Sequence, residues 1–293
     1  MKTRAFNYLR ASCVTDALAA FVAATDARYI AGGQSLVPSL SLRLQSPDLL
    51  IDISRIAELK GVRLADGCLR IGALTRHVDI LNSPEVARFA PLLQQAAAHI
   101  AHAAIRNRGT FGGSLAHADP AAEFPAMVLA LDAEIEVAGR NGTRRIAAEQ
   151  FFRGLFETAL EPGEIITAVS VPPSGPHDRC AFEELARRRG DFAIVGVGVQ
   201  ARFARDTVQS ARIALLSVGP TPVRARTAEA ALIGRTLGSE RISAAQTALA
   251  QDLDPSDDQQ ATAATRRHLA RVLLGRVLAR LAEPAGGHAE TRP

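Results

Sequence analysis

Two short runs hold most of the chemistry in this 293-residue sequence: Ala31-Gly32-Gly33-Gln34-Ser35-Leu36 and Gly109-Thr110-Phe111-Gly112-Gly113-Ser114. A glycine pair lets the backbone turn with positive φ and leaves no Cβ to block a ligand. Successive N–H groups at the start of a helix point outward with partial positive charge, which suits phosphate. Ser35 and Ser114 add hydroxyl donors to each run. Neither run is a G-x-G-x-x-G fingerprint, and no Gly-Lys-Ser/Thr phosphate loop occurs. A lone run of this kind is more often a plain strand–helix turn with a cap. Two of them match a ligand with two adjacent phosphates, such as the pyrophosphate of a dinucleotide. No activated nucleophile accompanies either: no G-x-S-x-G surrounds Ser35 or Ser114. The pattern is that of a binding site.

The other reactive side chains form weaker patterns. His99 and His102 share a helix spacing, but no Cys, Asp or Glu stands beside them at ligand spacing, so packing or capping explains them better than a metal. His117 and Asp119 follow the second glycine run, where contact with a bound cofactor is a better reading than acid–base work. Arg187-Arg188-Arg189 is either a solvated basic run or one that neutralises phosphates or docks a partner. Cys13, Cys68 and Cys180 are odd in number and far apart, which is neither a disulfide framework nor a metal cluster.

Composition bounds the class. Hydrophobic residues make up 47% and charged residues 22%, the mix of a globular protein. Net charge is only +4, arginines are scattered, and aromatics are 4% with no Trp, which argues against nucleic-acid binding. No stretch approaches the roughly 18 apolar residues of a membrane span, and Met1–Leu9 lacks a signal-peptide core. A cytoplasmic protein is expected.

The elements that must position the two runs follow from local pattern. A helix is expected from Ser12 to Phe21, capped by Ser12 or Thr15, then a strand at Ala27–Ala31 entering the first glycine run. A helix over Leu36–Leu44 and a buried strand at Leu49–Ile53 complete a small α/β layer. Gly61–Leu64 and Leu69–Ala73 read as a hairpin turned at Ala65-Asp66-Gly67. Helices are expected at His77–Leu81, Pro84–Ala104 (broken near Pro91) and Ala121–Leu131, with a strand at Ala133–Ala138 and a turn at Asn141-Gly142. Pro172–Pro176 reads as a linker. Beyond it stand three strands, Cys180–Leu185, Ala193–Arg202 and Ala211–Ser217, then helices at Thr227–Ile233, Ile242–Leu249 and Thr262–Ala282. Units are expected at 1–55, 56–176 and 177–283, with 284–293 a disordered tail.

The first glycine run, the longer run Ile105–Pro120 around the second, and Arg188-Arg189-Gly190-Asp191-Phe192-Ala193 occur in that order. Together they resemble the FAD-binding medium subunit of carbon monoxide dehydrogenase and related molybdenum hydroxylases, from about Phe6 to Gly234. The likeness extends to Gly72-Ala73-Leu74-Thr75 and to Gly219 before Pro222-Val223-Arg224.

The resemblance implies an α+β protein with the vanillyl-alcohol-oxidase-type FAD-binding fold. That fold has two α/β subdomains and a C-terminal α+β domain, whose sheet is expected to be three-stranded and antiparallel. FAD would be bound by Ala31, Gly32, Gly33, Gln34, Ser35 and Leu36 together with Thr110, Phe111, Gly112, Gly113 and Ser114 on its pyrophosphate. Asp119 would lie on the ribitol or ribose side, Ile100 near the isoalloxazine, and Phe192 where relatives often carry Tyr. The resemblance further implies a large subunit with a molybdenum-pterin cofactor, a small subunit with [2Fe-2S] clusters, and a dimer of such heterotrimers. Three departures stand out: Phe111 replaces an aliphatic residue, Ala101 stands where Gly is common, and Phe192 lacks the tyrosine hydroxyl. Read from the residues alone, a self-contained FAD-dependent reductase and a flavin-free structural subunit remain alternatives.

Overall fold

The structure, a computed structural model, describes residues 2–283; the tail expected over 284–293 lies outside them. The chain opens with β1 (Asn7–Arg10), α1 (Val14–Ala23), β2 (Ala27–Ile30), α2 (Leu36–Ser41) and β3 (Leu49–Asp52). The strands form a parallel sheet in the order β1-β3-β2. Neither Ser12 nor Thr15 caps α1: the thiol of Cys13 accepts from Asp16 N at 3.4 Å. Strand β1 was not expected, because all four of its residues are exposed and an edge strand of that kind shows no apolar alternation.

The second unit begins with the hairpin β4 (Val62–Ala65) and β5 (Cys68–Gly72). Asp66 and Gly67 both adopt positive φ, 51° and 74°, as a two-residue hairpin turn requires. Five helices follow on the way to α8: α3 (His77–Asn82), α4 (Pro84–Phe89), α5 (Pro91–Ala97), α6 (Ala103–Arg106) and α7 (Phe111–His117). Then come α8 (Glu123–Ala130), β6 (Glu134–Gly139), β7 (Gly142–Ala147), α9 (Ala148–Phe151), β8 (Phe152–Gly154), β9 (Glu157–Thr158) and β10 (Ile165–Val171). The main sheet is antiparallel with order β4-β5-β10-β6-β7, so the last strand in sequence lies at its centre.

The third unit holds β11 (Asp178–Ala186), β12 (Ala193–Ala204), β13 (Thr207–Leu216) and β14 (Val223–Arg224), then α10 (Arg226–Ala230), α11 (Ser239–Ala248) and α12 (Ala263–Ala282). Its antiparallel sheet has four strands rather than the expected three. The extra one, β14, is two residues long and pairs with Ala214 and Leu215, too short to leave a periodic signal.

The alternation Val195-Gly196-Val197-Gly198-Val199 explains how this sheet is covered on both faces. The valines are fully buried in the cluster that includes Leu273, Leu274 and Val277 of α12. The glycines let the opposite face approach the second unit: a Cβ on Gly198 would stand 2.4 Å from the Met127 thioether of α8. Phe182, Ala193, Ala214 and Leu216 accordingly belong to the same buried cluster as α5 and α8. Among the described residues, no helix is long and apolar enough to cross a membrane.

Candidate functional site

A cavity of about 770 Å³ runs between the three units. Both glycine runs face it. Ala31, Gly32, Gly33, Gln34, Ser35 and Leu36 line one wall, and Thr110, Gly112, Gly113 and Ser114 another. The runs also touch each other, since a Cβ on Gly32 would stand 2.2 Å from the Arg108 carbonyl oxygen. Only glycine fits there.

The two runs expose different groups. Gly33 has φ of 74°, and Val37 N donates to Gly33 O at 3.0 Å to start the turn into α2. The Gln34 amide donates to Gly32 O at 3.1 Å and braces the turn. Among the described residues, the N–H groups of Gly32, Gly33, Gln34, Ser35 and Leu36 donate to no protein acceptor. Such a row of unsatisfied donors suits an anion.

The second run is a helix start rather than a loop, and most of its donors are already used. Phe111 N donates to Thr75 O at 2.9 Å, Gly112 N to Ala73 O at 2.8 Å, and Gly113 N to the Thr110 hydroxyl at 3.2 Å. The expectation that both runs offer backbone N–H groups therefore holds at the first run only. What the second run offers the cavity is close approach along its glycines and the Ser114 hydroxyl. Gly112 is held to glycine from behind, because a Cβ would lie 2.6 Å from that of Ala73.

His77 supports this wall. Its Nε2 donates to Thr110 O at 3.0 Å, and its ring packs edge-on against Phe124. Burial lowers its pKa to about 4, with Arg106 opposing the charge further and the Thr110 carbonyl favouring it. The imidazole is thus neutral near pH 7, and Nδ1 is buried without a partner beside the cavity it lines.

Phe21, Tyr29 and residues 160–166 form a further part of the cavity wall. Phe21 and Tyr29 stack at 5.2 Å between centroids, and Tyr29 Oη donates to Gly163 O at 2.9 Å. Burial pushes the Tyr29 phenol well above its ordinary value. Leu160-Glu161-Pro162-Gly163 is a Pro-Gly turn legible in the sequence, but nothing marked it as part of a site.

Ile100, Ala101, Asp119, Glu123, Gly190, Asp191 and Phe192 form another part. Ile100 is buried, whereas Phe192 is 58% exposed. Arg106 Nη1 donates to Ile100 O at 2.7 Å and Ala101 O at 2.9 Å, fixing that turn. Ala101 has φ of 40°, a left-handed backbone that explains why a glycine suits the position. Asp119 Oδ1 accepts from Ala121 N at 2.9 Å. Burial, with Glu184 and Asp119 nearby, raises Glu123 to about 8.

One expected residue does not reach the cavity. The Phe111 side chain is fully buried and packs edge-on against Phe124 at 4.9 Å, so its added volume fills the core behind the run. The arginine run is also elsewhere: Arg187 donates to Gln259 O at 3.1 Å and Arg188 pairs with Asp191 at 3.5 Å, and neither Arg187, Arg188 nor Arg189 lines the cavity. Arg28 is the arginine that does. His99 packs edge-on against Phe182 and contacts Glu184. His117 lines the cavity with its ring on Phe156. Among the described residues, no group of three metal-ligating side chains comes together.

These features fit an elongated dinucleotide such as FAD. They comprise free anion donors, an aromatic wall at Phe21 and Tyr29, and polar lining groups that include Asp119 and Asp191.

Comparison with known proteins agrees. Residues 4–174 match the family described as FAD binding domain in molybdopterin dehydrogenase, and residues 180–281 match the CO dehydrogenase flavoprotein C-terminal domain. The chain is 42% identical over 282 residues to the 6-hydroxypseudooxynicotine dehydrogenase complex subunit alpha of Paenarthrobacter nicotinovorans, covering 96% of this chain and 95% of that one. It is 38% identical over 254 residues to the carbon monoxide dehydrogenase medium chain of Hydrogenophaga pseudoflava, covering 87% and 88%. A solved carbon monoxide dehydrogenase from that organism superimposes with a TM-score of 0.93 at 38% identity, covering 95% of this chain and 98% of the other. Quinoline 2-oxidoreductase from Pseudomonas putida 86 does so with a TM-score of 0.92 at 35% identity, covering 96% and 98%. The chain therefore belongs to the FAD-binding flavoprotein family of the molybdopterin dehydrogenases, and it is an oxidoreductase subunit of that family.

Proposed function

We propose that the chain is the FAD-binding electron-transfer subunit of a multi-subunit molybdenum hydroxylase. In this reading a large subunit with a molybdenum-pterin cofactor oxidises the organic substrate. A small [2Fe-2S] subunit delivers the electrons to this chain, which passes them to an external acceptor. The assembly is a cytoplasmic dimer of heterotrimers. The observation that carries the reading is the convergence of both glycine runs on one cavity, with unpartnered N–H groups from Gly32 to Leu36 beside it. The relatives described as a medium chain and as a complex subunit support the division among subunits.

Bound FAD supplies an organic carrier that accepts and releases two electrons. The chain's own residues bind and orient it. The N–H groups from Gly32 to Leu36 and the Ser35 hydroxyl hold the pyrophosphate, with Gln34 bracing the turn. Thr110, Gly112, Gly113 and Ser114 form the facing wall. Phe21 and Tyr29 enclose the adenine end, Asp119 lies along the ribitol or ribose, and Ile100 and Phe192 flank the ring.

The test is the visible spectrum of the full chain together with its co-purifying proteins. Oxidised-flavin bands, with a molybdenum protein and an iron–sulfur protein in a tagged pull-down, are expected. A colourless chain that takes up no FAD would overturn the reading. Reduction of a small substrate by the chain alone would point instead to a self-contained reductase.

A further inference from the structure

We propose that Arg266, in the first turn of α12, is a positioning residue for the cavity: its guanidinium clamps the carbonyls of Ile194 and Ser217, and through them it sets where Phe192 and Asp119 stand against the bound cofactor. The inference rests on the reading that FAD fills this cavity.

A buried guanidinium is costly unless its donors are met. Arg266 is only 5% exposed. Its Nη1 donates to Ile194 O and to Ser217 O, both at 2.7 Å, and its Nη2 donates to the Asp258 carboxylate. Nε is buried with no partner. The carboxylate is half exposed, and its Oδ1 serves its own loop by accepting from Gln260 N at 2.8 Å and Ala261 N at 3.0 Å. Exchanging a buried ion pair for well-packed apolar groups is often neutral for stability. The distinctive feature of Arg266 is therefore the pair of carbonyls it joins.

Both carbonyls lie beyond the ladder of β12 and β13, which ends at Gly196 and Leu216. On its other side β12 carries a bulge: Leu185 pairs with Val195 and Ala186 with Ala193, which leaves Ile194 as the extra residue. A bulge bends its strand and re-aims the side chains beside it. Here the bend directly follows Phe192, which lines the cavity. Ser217 has φ of 62° and holds two segments at once. Its hydroxyl donates to Ala193 O at 2.7 Å, and its N–H donates to Pro120 O at 2.8 Å. Asp119, next to Pro120, also lines the cavity. One guanidinium thus fixes a joint from which two parts of the cavity wall extend.

The test compares wild type, Arg266→Met and Val277→Ala as full chains, flavin-free and FAD-loaded. Val277 is fully buried in the core beneath the same helix, so Val277→Ala loosens α12 while leaving the clamp in place. In the flavin-free chain, amide hydrogen exchange at Ser217 should be about 10-fold faster or more in Arg266→Met than in Val277→Ala. In the FAD-loaded chain, Arg266→Met should alter the visible circular dichroism of the flavin. It should also raise the Kd for FAD by about 2- to 12-fold, the effect of about one lost contact. Val277→Ala should melt at a lower temperature with both flavin signals as in wild type. Exchange at Ser217 no faster than in Val277→Ala, or flavin signals that change in both variants or in neither, would overturn the inference. Should Arg266→Met not fold, Ser217→Ala releases Ala193 O and should move the dichroism and the Kd in the same direction, and unmoved signals there would likewise overturn it. A wild-type chain that takes up no FAD would count against the functional reading, and the exchange result would still decide whether Arg266 holds the joint.

Discussion

Gly32 and Arg108 meet so closely that a Cβ on the glycine would stand 2.2 Å from the arginine's carbonyl oxygen. The contact joins the turn after β2 to the segment that enters α7, and so sets the spacing of the two walls between which the pyrophosphate is proposed to lie. Backbone cannot yield there as a flexible side chain could. Gly32→Ala should cost about 1–3 kcal/mol of stability and should lower FAD per chain sharply. Thermal melting and the flavin-to-protein absorbance ratio read the two effects. Full FAD retention would show that the walls need not touch.

The free hydroxyls give a milder prediction. Ser35 and Ser114 line the cavity, and neither side chain makes a hydrogen bond within the described protein. Replacing either with Ala should weaken FAD binding by about 0.5–1.5 kcal/mol, or about 2- to 12-fold in Kd, with the melting temperature nearly unchanged. Unaltered affinity in both variants would remove the hydroxyls from the site.

His77 couples the site to pH. Its folded-state value of about 4 lies below its ordinary 6.5. Its contribution to stability is therefore fully present above about pH 6.5, and it is lost as pH falls toward about 4, because the unfolded chain takes up a proton that the folded chain refuses. This group should account for about 2 kcal/mol of stability lost between about pH 7.5 and about pH 5. Urea unfolding at the two pH values, in wild type and His77→Gln, measures it. The variant keeps an amide donor for Thr110 O and should lose that part of the dependence. An identical dependence in both proteins would contradict the assignment.

Ala101 should respond to substitution in the unusual direction. In a left-handed conformation at φ 40° the methyl group is a liability. Ala101→Gly should leave stability unchanged or raise it by up to about 1 kcal/mol, after the entropy cost of glycine in the unfolded chain. A clear loss in the denaturation midpoint would show that the turn held by Arg106 relieves the strain already.

Much of this was legible in the residues, for identifiable reasons. Gly32-Gly33 follows a strand and precedes a helix, so composition and local pattern coincide there, and the N–H groups are free as the pattern implies. Gly112-Gly113 misled, because glycine reads as loop while the donors of this helix start are held by Ala73, Thr75 and Thr110. Ala73 and Thr75 come from distant sequence, and no local rule reveals them. Strand β10 is buried at six of seven positions and so lacks alternation, and no expectation covered it although it is central to its sheet. Phe111 stands in a site motif yet turns into the core, since a motif specifies a backbone path and not the direction of each side chain. Glu123 gave no signal at all, because the burial that raises its pKa arises only from tertiary packing.

The central claim is that one cavity holds the pyrophosphate and adenosine of FAD as well as its ring. Titration of the flavin-free full chain with FAD, followed by quenching of flavin fluorescence and repeated with ADP as competitor, tests it most directly. Binding of one FAD per chain, displaced competitively by ADP and far tighter than riboflavin, is the predicted result. Riboflavin binding as tightly as FAD, with ADP without effect, would contradict it.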